Sequence, residues 1–116
     1  MLPITPAFNA HKTTIKMIYI TQLIYLVEGQ EKVFHQFEDL AIPIIAKYKG
    51  KLLLRVRPNE TGIVAKNIET PYEIHLIEFE NEQYFSNFLK DEERKKFLHL
   101  KEQSISSSIV IKGEKL

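Results

Sequence analysis

Residues 17–27, MIYITQLIYLV, decide how this chain folds. Ile18, Ile20, Ile24 and Leu26 alternate with Met17, Tyr19, Leu23 and Tyr25, so both parities of an extended segment are apolar. β-Branched and aromatic residues suit a pleated surface, and a strand greasy on both faces needs covering on both. The run is eleven residues long, against the about 20 apolar residues of a membrane helix. Thr21 and Gln22 interrupt it, and Glu28-Gly29-Gln30-Glu31 lacks the small residues of a cleavage site. A secretory signal is the competing reading, suggested by Lys12 and Lys16 ahead of the run. A strand is preferred.

Upstream, residues 1–16 show no sustained period and read as an arm or extension, with Met17 an alternative start. The domain is expected over 17–116. Downstream, Val33, Phe37, Leu40, Ile44 and Tyr48 recur at helical steps, widened by Phe34, Ala41 and Ile45. They predict a first helix over Glu28 to Tyr48, with Glu31, Gln36, Glu38 and Lys47 on its wetter side. Pro43 predicts a kink or break near Leu40, and Gly50 the stop. Lys51 to Arg57 reads as a strand with Leu52, Leu54 and Val56 towards the helices. In the following connection, Ile63 to Ala65 is expected to pair briefly. Tyr72 to Glu80 is a third strand, apolar on both parities. Asn81 caps a second helix with Tyr84, Phe85, Phe88 and Leu89 as its stripe, and Asp91 is a second cap candidate. That helix runs on through Leu100, and Ser106 to Lys112 is the last strand.

The order β-α-β-β-α-β predicts an α+β, ferredoxin-like sandwich: a four-stranded antiparallel sheet with two helices on one face. The other face is apolar as well, and the expected cover is a second copy of the chain, pairing as a dimeric α/β barrel. A chain of 116 residues gains core by such pairing.

The run Phe37 to Pro58, FEDLAIPIIAKYKGKLLLRVRP, followed by Ile77-Glu78-Phe79, resembles domain-of-unknown-function family 1330 of the dimeric α/β-barrel superfamily. Pro43, Lys47-Tyr48, Gly50, Arg55 and Ile77-Glu78-Phe79 stand at that family's motif positions. The chain departs from it at Lys49, where a glycine is usual, at Val56, and at Lys90-Asp91-Glu92-Glu93 in the second helix. The resemblance implies a homodimer and no particular reaction.

Sixteen Lys and Arg against fifteen Asp and Glu give a net charge of +1, which provides no field for nucleic acid or an acidic membrane. The chain has no cysteine, which excludes disulfides, thiolate metal sites and a cysteine nucleophile, and fits a cytoplasmic protein. Its four isolated glycines write no phosphate loop, and the histidines, never closer than 24 residues, show no ligand spacing. No metal and no cofactor are expected.

Four residues stand out as candidate ligand contacts. Arg55 and Glu78 are expected to meet across neighbouring strands on the uncovered face, as a polar anchor in the barrel lumen or as a structural ion pair. His75, mid-strand and on the helix side by parity, is the candidate for proton transfer, with a satisfied core histidine as the alternative. Tyr25 could project its hydroxyl into the lumen or fill the dimer interface. The basic run Lys47, Lys49, Lys51, Arg55 and Arg57 reads as a solvated edge. The functional expectation is a homodimer binding a small hydrophobic or anionic molecule in its barrel. The alternative is a cofactor-free enzyme, monooxygenase- or isomerase-like, with His75 or Glu78 as base. An RNA-recognition-like module comes last, because Glu73, Glu78 and Glu80 leave the third strand without a basic residue or glycine.

Overall fold

In the computed structural model, which describes residues 16–116, the doubly apolar segment forms β1, Ile18–Leu26. The expected arm lies, apart from Lys16, outside the described residues. Helix α1, Glu31–Ile45, follows and ends in a 3-10 turn at Ala46–Tyr48. Then come β2, Gly50–Val56, and β3, Glu73–Phe79. Three short helices, α2 (Glu82–Leu89), α3 (Glu92–Lys95) and α4 (Leu98–Ser104), lead to β4, Ile105–Gly113. The sheet order is β2-β3-β1-β4, antiparallel throughout. This is the ferredoxin-like α+β plan.

Ile18, Ile20, Ile77 and Phe79 on one sheet face pack with Ile44, Ile45 and Phe88 from the helices. The buried stripe of α1 differs from expectation. It runs through Phe34, Phe37, Glu38, Ala41, Ile44 and Ile45, while Leu40 is 37% exposed. Steps of four and three residues link Phe34, Glu38, Ala41 and Ile45, so the helix turns Glu38 inward towards polar groups on β3. The break expected near Leu40 is absent. Pro43 and Asp39, whose carbonyl loses its donor, are both exposed, so water can serve that oxygen.

The turn into β2 uses Lys49 in the left-handed region, φ 58°, rather than glycine. Gly50 serves close packing instead. A Cβ there would lie 2.5 Å from Ile45 Cγ2 and 2.6 Å from Phe79 Cε1.

β2 holds the main correction. Leu52 faces Ile77 and Leu54 faces Leu76, so Leu53 is an extra, bulged residue. One extra residue reverses the parity of everything after it. Leu54 and Val56 therefore turn to the open face, and Arg55 turns to the helices. The pairing expected at Ile63 to Ala65 is also absent. A 3-10 turn, Glu60–Gly62, precedes those residues, and Val64 is fully exposed. The second helix is three segments: Asn81 caps the first, Asp91 caps the second, and the third starts after Phe97 without a side-chain cap. Asn81 Oδ1 accepts from the Tyr84 amide at 2.9 Å, and Asp91 Oδ1 from the Arg94 amide at 2.7 Å.

The open sheet face carries Tyr19, Leu23 and Tyr25 from β1, Ile74 and Leu76 from β3, and Leu54 and Val56 from β2. Leu54 is 50% exposed, and Ile109 and Ile111 of β4 are 43% and 54% exposed. Among the described residues no helix is long and apolar enough to cross a membrane.

Candidate functional site: a buried carboxylate cluster beside a cavity

The helix-facing positions of β3 are Glu73, His75, Ile77 and Phe79, so its first half puts charge where its second half puts core. Glu73 is fully buried. Its Oε2 accepts from Arg55 Nε at 2.7 Å and from His75 Nε2 at 2.5 Å, and its Oε1 accepts from Arg57 Nε at 2.7 Å. Burial pushes the Glu73 carboxyl up, but hydrogen bonds from His75, Arg55 and Arg57 outweigh it and hold the group at about 2. An ionised carboxylate only accepts, so the proton shared with His75 belongs to Nε2.

Glu38 reaches the same histidine from α1. Its Oε2 lies 3.5 Å from His75 Nε2. Burial pushes the Glu38 carboxyl up to about 6; the His75 charge opposes the shift and the Glu73 charge adds to it. Two carboxyls flank one imidazole, one held ionised and the other titrating close to neutrality. Glu38 can take or give a proton at ordinary pH.

Beside this cluster a cavity of about 200 Å³ separates the helices from the sheet. Ile20, Ile24, Phe37 and Ala41 supply part of its apolar wall. Gln22, Glu38, His75, Arg94, Lys101 and Ser108 supply polar groups. It lies within one chain, on the helix side of the sheet, away from the face expected to line a barrel.

The expected Arg55–Glu78 pair does not form, because the bulge at Leu53 sends the two side chains to opposite faces. Arg55 lies opposite His75 and binds Glu73, while Glu78 sits on the open face opposite Lys51 and Tyr19. His75 is on the helix side, where parity placed it, and in the cavity wall. Tyr25 donates its hydroxyl proton to the Glu69 carbonyl at 2.8 Å. The basic run is not simply solvated: Arg55 and Arg57 hold Glu73, and Lys47 holds Asp91 at 3.2 Å. Sequence reasoning missed Glu38, Glu73, Arg94 and Lys101. The four-three-four spacing from Phe34 to Ile45 was a signal for Glu38, and the parity that turned His75 inward did the same for Glu73.

Ligand atoms of Glu38, Glu73 and His75 lie within 4.8 Å of one another, close enough to hold one cation. The donor set does not favour it. Both Glu73 oxygens already accept from other groups, and two guanidiniums add positive charge where a cation would sit.

No protein-family model matches the chain, and no curated protein matches it. Solved structures do share its fold. A protein of unknown function from Rhodopseudomonas palustris aligns with a TM-score of 0.75 at 13% identity, covering 99% of this chain and 95% of that one. A NIPSNAP-like domain protein from Burkholderia xenovorans gives 0.65 at 14%, covering 88% and 87%. A dimeric protein of unknown function with a ferredoxin-like fold from Bacteroides fragilis gives 0.65 at 16%, covering 85% and 96%. At these identities the likeness is one of fold.

Glu73 supplies the prediction from this geometry. Its folded-state pKa lies below 4.5, so its contribution to stability is present above pH 4.5 and is lost as pH falls towards about 2. Glu73→Gln should cost about 2–3 kcal/mol at pH 7, below the usual figure for a split buried pair because Arg57 is half exposed. Urea titrations at pH 7 and pH 3 should show the gap between wild type and variant narrowing at pH 3. A constant gap would refute the ion-pair account.

Proposed function

We propose that the chain is a homodimeric small-molecule-binding protein whose ligand occupies the cavity between α1 and the sheet. One observation carries the binding part: a largely apolar cavity with a few polar groups in its wall, among them a buried, hydrogen-bonded histidine. At about 200 Å³ it suits a single aromatic ring or a short chain, since a dry cavity of about 150 Å³ takes up benzene. His75 is a wall residue in this reading, and Arg55 acts indirectly by holding Glu73. Glu78 and Tyr25, on the open face, belong to the interface between subunits.

The dimer rests on that open face, where aliphatic and aromatic side chains of four strands lie together. A fold neighbour is described as dimeric, which supports the same pairing here. Kinship with family 1330 is part of the proposal. Lys49 takes the left-handed conformation, one that glycine favours, at the position where that family usually carries glycine, which supports this part of the reading.

Glu38 favours a second reading, cofactor-free proton transfer. A carboxyl raised to about 6 in the wall of a cavity can remove a proton from carbon beside a carbonyl. The C–H bond breaks, Glu38 takes the proton, and the electron pair moves onto the carbonyl oxygen as an enolate.

Three measurements check these readings. Indole or benzyl alcohol should raise the melting temperature, and Ala41→Phe, which fills the cavity, should abolish the shift while the variant stays folded. An unchanged shift in Ala41→Phe would place binding elsewhere. Light scattering at low micromolar concentration should give twice the subunit mass, and Leu23→Glu should move it towards one; a monomeric wild type would refute the dimer. The protein should accelerate deuterium exchange at the benzylic carbon of phenylpyruvate in D2O, and Glu38→Gln should abolish the acceleration. Equal rates with and without protein would refute proton transfer.

A further inference from the structure

The cavity wall holds two cations, Arg94 and Lys101, against one carboxyl, Glu38. Glu73 adds no uncompensated negative charge, because Arg55 and Arg57 neutralise it. Among the described residues, neither Arg94 nor Lys101 forms a salt bridge with a carboxylate. The Arg94 guanidinium lies 5.0 Å over the Phe88 ring, one of its terminal nitrogens makes a long 3.4 Å bond to the Leu89 carbonyl, and its buried Nε has no partner. Burial lowers the pKa of both cations, a sign that each is held in less water than it prefers. Partly buried positive charge without a salt-bridge partner is costly, and an arriving anion would offset that cost.

We infer that the cavity takes a monoanionic apolar carboxylate, its ring or chain among Ile20, Ile24 and Phe37 and its carboxylate on Arg94 and Lys101. The inference rests on the binding reading above and names the class of ligand. A planar guanidinium and a flexible ammonium together match the two oxygens of a carboxylate. Both cations line the same wall, where an arriving carboxylate would meet positive charge. Gln22 and Ser108 add neutral hydrogen-bonding groups to the same wall.

The test compares benzoate with its neutral isostere, benzyl alcohol, by calorimetry on the full chain. Benzoate should bind at least about tenfold more tightly, the return expected from charge-assisted hydrogen bonds. Arg94→Gln and Lys101→Gln should each weaken benzoate about tenfold while leaving benzyl alcohol within about twofold. Lys101→Gln keeps the test decisive if Arg94→Gln fails to fold, since Arg94 also packs on Phe88. Equal affinity for the two compounds, or benzoate binding untouched by Lys101→Gln, overturns the inference and leaves the cavity reading standing. Binding of neither compound overturns both.

Discussion

The structure depends on one carboxylate. Glu73 is ionised and fully buried on the helix side of a sheet, where an uncompensated charge costs several kcal/mol. Arg55 and Arg57 offset that cost only if both reach the same face, which strict alternation with Leu52 and Leu54 would forbid. The bulge at Leu53 supplies the missing residue of register. It also carries Leu54 and Val56 outwards, so the ion pair inside and the apolar patch outside are two results of a single backbone irregularity.

The same carboxylate sets the chemistry of its neighbours. By accepting from Nε2 it fixes the proton of His75, and by adding negative charge beside Glu38 it helps hold that carboxyl up near 6. The imidazole thereby donates to Glu73, and the carboxyl on α1 titrates close to neutrality. Arg94 and Lys101 approach from α3 and α4, so the cavity is basic on that side.

Much of the fold was legible from the chain alone. Two apolar parities in residues 17–27, helical periods after them and the caps at Asn81 and Asp91 are local signals, and each appears in the structure. The misses share a different cause. A bulge depends on pairing with another strand, and nothing in KLLLRVR marks the extra residue. Without it Arg55 was assigned to the wrong face and Glu78 to the wrong partner. Glu38 was read as wet because it is charged, although its spacing from Phe34 and Ala41 placed it in the stripe; charge overrode geometry in that reading. Pro43 was read as a breaker, yet its solvent-facing position makes its lost hydrogen bond affordable. The cavity had no signal at all, since it is the space left when the short helices are laid over β1 and β4.

Those short helices have a consequence for traffic. Segments of eight, four and seven residues are too brief to hold together by themselves, and each junction between them is a place where the backbone can give way independently. The long, well-buried α1 and the paired strands beneath it have no such joints. Fraying at α3 would uncover Arg94 without disturbing the sheet, so local melting in this layer would widen access to the cavity beneath it.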